Sequence, residues 1–276
     1  MNKIIDVSLP YKDFDGYILM KFFSKYDYQQ DFLNGHLFFN TSDFFAKCDD
    51  QGRGDCNEGS TFVIDYENPN FVSANLEKVG DSWAIVVRDF SENPDEYTVG
   101  SIWDYSSAKN RRRKIISLYT SFVNISNQTI SPFNEKMKKE FGEYGIIITN
   151  RQEFFSRVCN AIYKNKENSN LELGFVRYLL QEDEKGIIDW SPFTKKSKFS
   201  YQNEFRITFL SQNTDSIKVD LDCSLRDIAV PICTKDLNKI HFKNGNLLYP
   251  KYSKIRLMLI RSFSKIKSIF TSKGKH

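Results

Sequence analysis

The chain has 276 residues, 40% of them hydrophobic and 15% aromatic, with 24 Phe. That length and aromatic content exclude a disordered polypeptide and supply enough apolar surface for one large core or two smaller ones. The formal net charge of +4 hides an asymmetry: residues 251–276 hold eight Lys or Arg and no acid, so taking those eight from the total of 39 leaves 31 basic against 35 acidic residues before them.

No stretch of about 18 uncharged apolar residues occurs, and Met1-Asn-Lys-Ile-Ile-Asp-Val-Ser-Leu-Pro10 lacks a long apolar signal region, so the expectation is a soluble cytoplasmic protein with no membrane span. The five cysteines (Cys48, Cys56, Cys159, Cys223, Cys233) are never spaced Cys-x-x-Cys and only three histidines accompany them, so no metal site is expected. A cytoplasmic chain makes a disulfide between Cys48 and Cys56 an unfavoured reading, and all five are read as packing or surface thiols.

In chain order, Gly16–Phe23 reads as an apolar strand. Lys25–Leu33 follows as a short helix that Asn34-Gly35 ends with a left-handed cap. His36–Asn40 is a second strand, and Thr41-Ser42-Asp43 predicts the N-cap of a short helix carrying Phe44 and Phe45. The loop Asp49–Gly59 is rich in glycine and acids but lacks the ligand alternation and closing Glu of a calcium loop. Within it Arg53 lies between two glycines, where a guanidinium can reach a diphosphate or pair with Asp55 or Glu58. Further strands are predicted at Trp83–Val87, Ile115–Phe122 and Gly145–Thr149. A helix follows over Arg151–Lys164, with Phe154, Phe155, Val158, Ala161 and Ile162 on one face. Strand candidates at Gly174–Leu180, Glu204–Leu210, Ile217–Leu221 and Asp227–Ile232 complete the chain. The expected architecture is one α+β domain over residues 1–250, with two twisted mixed sheets flanked by helices.

Two basic features stand apart. Lys109-Asn-Arg-Arg-Arg-Lys114 precedes a strand, so Arg111, Arg112 and Arg113 form a candidate phosphate-contacting patch, joined by Lys195, Lys196 and Lys198 of the loop 191–198. The tail 251–276 places Ile255, Leu259, Phe263, Ile266 and Phe270 at helical spacing, a basic amphipathic helix whose apolar stripe meets the chain's own core, another protein or a polyanion.

The segment Phe199–Leu210 carries the most chemistry. Phe205, Ile207 and Phe209 alternate, so the segment reads as a half-buried strand with Glu204 at its mouth on the face opposite Phe205, and Gln202 two residues earlier. Glu204 is a candidate catalytic carboxylate; the bland alternative is an exposed strand Glu paired with Lys or Arg.

The order strand, short helix ending in Gly, strand, and later Gln-x-Glu-Phe at a strand start resembles the ADP-ribosyltransferases, particularly DarT-type bacterial toxins and related phage-defence toxins. The resemblance implies an NAD cleft, with Glu204 and Gln202 as catalytic residues. It places Tyr17, Lys21, Phe22, Thr41, Ser42, Arg53 and Tyr119 as candidate NAD contacts: Tyr17 or Phe22 stacking on nicotinamide, Arg53 and Lys21 on the diphosphate, and Asn40-Thr41-Ser42 or Tyr119-Thr120-Ser121 standing in for the family's Ser-Thr-Ser. Glu204 would stabilise an oxocarbenium-like centre as the bond from nicotinamide to ribose breaks, with Gln202 orienting the acceptor. The basic clusters tilt the acceptor towards nucleic acid, RNA ahead of single-stranded DNA. A toxic activity of that kind implies a neutralising antitoxin protein. Open alternatives are a protein-directed transferase, a metal-dependent nuclease using Asp189 and Glu204 with Arg206 beside them, and a non-enzymatic nucleic-acid or phage-protein binding module.

Overall fold

The computed structural model describes residues 9–48, 54, 55, 57–59, 62–65, 72–79, 82–89, 112–164, 169–180, 186–244 and 246–250. Over these the chain is mixed α+β, with a large antiparallel sheet and few helices. No described helix is long and apolar enough to cross a membrane.

β1 (Gly16–Phe23) buries Ile18, Leu19, Met20 and Phe22. α1 (Tyr26–Leu33) turns Gln29, Phe32 and Leu33 inward and stops at Asn34, after which Gly35 takes φ +91°. A Cβ at Gly35 would lie 2.4 Å from the Cys223 carbonyl oxygen, so both the backbone angle and the close approach require glycine. In β2 (His36–Thr41) the last residue is the cap of α2 (Ser42–Lys47): Thr41 Oγ1 accepts from the Phe44 N–H at 3.0 Å. β3 (Phe62–Asp65), β4 (Val72–Val79) and β5 (Ser82–Asp89) precede the 12-residue β6 (Arg113–Asn124). β7 (Thr129–Ile130) leads to α3 (Glu135–Glu140), whose first turn Asn134 caps. β8 (Tyr144–Ile148) is buried throughout, and the amphipathic α4 (Arg151–Lys164) follows.

The remaining strands are β9 (Ser169–Phe175), β10 (Arg177–Tyr178), β11 (Gly186–Asp189) and β12 (Thr194–Lys195). A 3₁₀ turn, Ser197–Gln202, ends on Asn203 in the left-handed region (φ 40°) and delivers the chain into β13 (Glu204–Leu210). β14 (Ile217–Asp220), β15 (Ala229–Cys233), β16 (His241–Lys243) and β17 (Asn246–Leu248) complete the set.

The chain divides into two compact units that interleave along the sequence. The first takes residues 1–37, 118–161 and 220–276. There β1 runs antiparallel to the end of β6 (Gly16 opposite Val123 through Met20 opposite Tyr119) and to β8, and β8 also pairs with β15. α1 and α4 pack Phe32 on Phe154 with ring centroids 6.1 Å apart, and the buried Gln29 amide donates to the Gly145 carbonyl at 2.6 Å.

The second unit takes Phe38–Ser117 and Ile162–Val219. There the start of β6 pairs with β2 (Asn40 opposite Ile115), β13 lies beside β6 and runs antiparallel to β9, and Phe39 meets Phe209 edge-on at 5.1 Å. Two-stranded pairs β3·β11 and β4·β5 are antiparallel, and β10·β12 is a two-residue parallel pair. The single strand expected over Gly174–Leu180 is therefore two, β9 and β10, and the loop expected over 191–198 holds β12 and the start of the 3₁₀ turn. The expected tail helix, along with Cys56, lies outside the described residues.

Candidate active site: a buried ion network on the polar face of β13

β13 is buried at all seven positions, not at alternate ones. Its apolar face (Phe205, Ile207, Phe209) meets the core as expected. Its other face, Glu204-x-Arg206-x-Thr208, is covered by polar partners instead of water, because residues two apart on a strand share a side. Burying charges this way is tolerable only when each is paired and hydrogen-bonded.

The pairing is dense. Glu204 is 6% exposed. Its Oε1 accepts from Lys195 Nζ at 2.5 Å, and its Oε2 accepts from Ser117 Oγ at 2.7 Å and Arg206 Nε at 2.9 Å. Arg206 turns the rest of its guanidinium to Glu58, with Nη1 at 3.0 Å from Oε1 and Nη2 at 2.9 Å from Oε2, and Nη1 also donates to the Pro192 carbonyl. Lys195 Nζ donates a second bond to Gln202 Oε1 at 2.6 Å. Tyr178 OH accepts from the Glu204 backbone N–H at 2.9 Å, and the Val176 N–H donates to the Glu204 carbonyl at 2.9 Å. Farther along the same face Arg113 donates to Thr208 Oγ1 at 3.0 Å and pairs with Glu172.

Local structure explains each placement. The left-handed Asn203 after the 3₁₀ turn sets Gln202 and Glu204 on the same side as β12, which carries Lys195. Asp55 builds a tight turn by accepting from the Asn57 N–H at 3.1 Å. The Glu58 N–H returns to the Asp55 carbonyl at 2.9 Å, and Gly59 (φ +81°) releases the chain. Asp55 is itself 3% exposed, and its Oδ2 has no hydrogen-bond partner among the described residues.

The electrostatics separate the two glutamates. Burial acts to raise the Glu204 carboxyl, but the adjacent Arg206 and Lys195 charges and the Lys195 and Ser117 hydrogen bonds overcome it and hold the group well below the ordinary Glu value of 4.5. Glu58 goes the other way: burial dominates, the neighbouring Asp55 adds to it, and Arg206 only partly compensates, so its carboxyl is raised. Arg206, between two carboxylates, is raised above its ordinary value even though burial opposes this.

Beside this network a cavity of about 340 Å³ is lined by Phe175, Arg177, Trp190, Ser191, Phe193 and Thr194. Phe193 lies over the backbone of Gly174, where a Cβ would touch its ring at 3.4 Å. Arg177 donates its backbone N–H to the Phe193 carbonyl at 2.7 Å.

Several sequence assignments change. Lys195 is 3% exposed and spent on Glu204 and Gln202, so it is no surface contact for nucleic acid. Arg113, 7% exposed, is likewise committed to Glu172 and Thr208, and Lys114 is fully buried with Nζ on the Asn213 carbonyl at 2.6 Å. Desolvation lowers the Lys114 ammonium, partly offset by Asp215. Of the basic clusters Arg112 and Lys198 are exposed and Lys196 half-buried, while Arg111 and Arg53 lie outside the described residues. Gln202 is 1% exposed, and its Oε1 accepts from Lys195 Nζ.

Among the candidate NAD contacts, Phe22 and Tyr119 are core rings packed edge-on at 5.7 Å, and Thr41 is a helix cap beside the fully buried Ser42. Tyr17 and Lys21 are half-buried, and Arg151 stacks over the Tyr17 ring at 3.9 Å. Tyr17, Lys21, Phe22 and Tyr119 belong to the first unit; Gln202 and Glu204 belong to the second.

The sequence assigns no site role to Ser117 or the cavity residues, and Glu58 enters it only as a possible partner of Arg53. Opposite charges two apart at Glu204 and Arg206 were a signal that this face is paired, but Glu58 has no local pattern to reveal it. Among the described residues no group of three or more His, Cys, Asp or Glu could hold a metal ion. Asp189 closes β11 opposite Phe62. Scans of protein-family models, curated proteins and solved structures each return no match to this chain.

Proposed function

We propose that the chain is an ADP-ribosyltransferase that takes NAD as substrate and works through Glu204. The observation that carries this reading is the pair of carboxylates on one guanidinium: Arg206 donates to Glu204 Oε2 and to both oxygens of Glu58, with the Glu204 carboxyl held below and the Glu58 carboxyl raised above the ordinary Glu value. Environments that drive two carboxyls apart characterise sites that cleave glycosidic bonds.

A carboxylate offers about four lone-pair positions, and among the described residues Glu204 uses three, leaving one on Oε1 to which a ribose hydroxyl can donate. In the step, the bond from nicotinamide nitrogen to the ribose carbon breaks with its electron pair on nitrogen. An acceptor nucleophile then bonds to that carbon and gives up its proton to water. Glu204, with a depressed pKa, is a poor base; it stabilises the developing positive charge. Lys195, Ser117 and Gln202 keep its orientation.

The acceptor in this reading is nucleic acid, RNA ahead of single-stranded DNA, met by the exposed Arg112 and Lys198 and the half-buried Lys196. An activity of that kind calls for a neutralising protein partner in the host cell, as in toxin–antitoxin and anti-phage defence.

The test incubates the full chain with NAD labelled on the adenylate, together with total RNA, single-stranded DNA or cell lysate. It runs beside Glu204→Gln, whose folding is checked by circular dichroism. Transfer to nucleic acid that Glu204→Gln lowers by a hundredfold or more is expected. Absence of transfer to any acceptor by the wild-type chain overturns the reading.

A further inference from the structure

We propose that the cavity lined by Phe175, Arg177, Trp190, Ser191, Phe193 and Thr194 is a binding site for one nucleotide unit, a flat heteroaromatic base with its phosphate. It rests on the reading above only in making that base part of the acceptor.

The cavity volume of about 340 Å³ lies at the small end of the roughly 300–1,000 Å³ range of ligand sites. Three of its six lining residues are aromatic. Such faces stack on any base, whatever its hydrogen-bonding edge. Trp190 is 5% exposed, and its indole N–H is buried with no acceptor among the described residues.

Arg177 supplies the charge. Its side chain is exposed and makes no ion pair among the described residues. A guanidinium fork matches a phosphate in geometry as well as charge. The hydroxyls of Ser191 and Thr194, 2.9 Å apart, bond to each other and add a polar edge.

The cavity is also joined to the ion network through the backbone. Pro192, within its wall segment, accepts from Arg206, and the Leu179 N–H donates to the Lys195 carbonyl at 3.0 Å. A base bound there sits against the segment that also holds Glu204's partners.

Isothermal titration calorimetry of the full chain tests this with adenosine monophosphate and with a single-stranded adenine oligonucleotide as probes, for wild type, Arg177→Ala and Phe193→Ala. Saturable binding is expected, weakened about tenfold by Arg177→Ala, which removes only an exposed side chain, and weakened also by Phe193→Ala. A stronger response to the oligonucleotide marks a nucleic-acid strand as the source of the base; equal responses mark a free nucleotide. No saturable binding of either probe, or binding indifferent to both Arg177→Ala and Phe193→Ala, overturns the proposal. Base binding without NAD-dependent transfer would leave the cavity standing and remove the transferase reading alone.

Discussion

Replacing Arg206 with Met keeps the length of the side chain and removes its charge, so the loss comes from the ion network and not from a cavity. Arg206 is 2% exposed and donates to Glu204 at 2.9 Å, to Glu58 at 3.0 and 2.9 Å, and to the Pro192 carbonyl. Breaking a buried pair by removing one partner costs about 3–5 kcal/mol. Glu204 keeps Lys195 and Ser117, and Glu58 can take up a proton, so the lower end, about 3 kcal/mol, is expected. That is roughly a hundredfold in the ratio of folded to unfolded chain. Urea titration followed by far-ultraviolet circular dichroism measures it.

The deficit should also depend on pH. In Arg206→Met the Glu58 carboxyl lacks its guanidinium, so its folded-state pKa rises further above the unfolded value of about 4.5. A raised carboxyl contributes stability that is present at low pH and lost as pH rises through the folded value. The deficit at about pH 8 should therefore exceed that at about pH 5.5. A deficit under about 1 kcal/mol, or one equal at both pH values, refutes a desolvated network.

In the wild-type chain the two glutamates pull in opposite directions: acidification from neutral pH favours folding through Glu58, while below about 4.5 the stabilisation from the depressed Glu204 is progressively lost. Melting temperature measured from about pH 8 to 3 should pass through a maximum, and a continuous rise to pH 3 would contradict the assignment of Glu204. Lys195→Met should destabilise by a few kcal/mol because Glu204 loses a buried partner, whereas exposed Lys198→Ala should change stability by less than about 0.5 kcal/mol. Equal effects in chemical denaturation would return Lys195 to the surface. Gly35→Ala should cost about 1–3 kcal/mol, since φ +91° and a 2.4 Å approach to the Cys223 oxygen admit no Cβ without movement; a thermal melt like that of wild type would show that the turn relaxes.

Local physics wrote much of this fold into the sequence. The strand Gly16–Phe23, the Asn34-Gly35 stop, the Thr41 cap, the helix Arg151–Lys164 and the strand Glu204–Leu210 all stand where apolar periodicity and turn chemistry put them. These signals act within a few residues, so one sequence carries them. The class, mixed α+β, follows from their order.

Tertiary structure decided what covers each face. Alternation at Phe205, Ile207 and Phe209 shows which side of β13 is apolar but not that the other side is also closed, because that depends on residues as distant as Glu58, Ser117 and Lys195. Whether Lys195 and Arg113 meet solvent or a carboxylate is a matter of three-dimensional charge pairing, and a basic run in the sequence reads the same either way. The opposite shifts of Glu58 and Glu204 have the same origin: burial, Asp55 and two shared cations, assembled from segments about 150 residues apart.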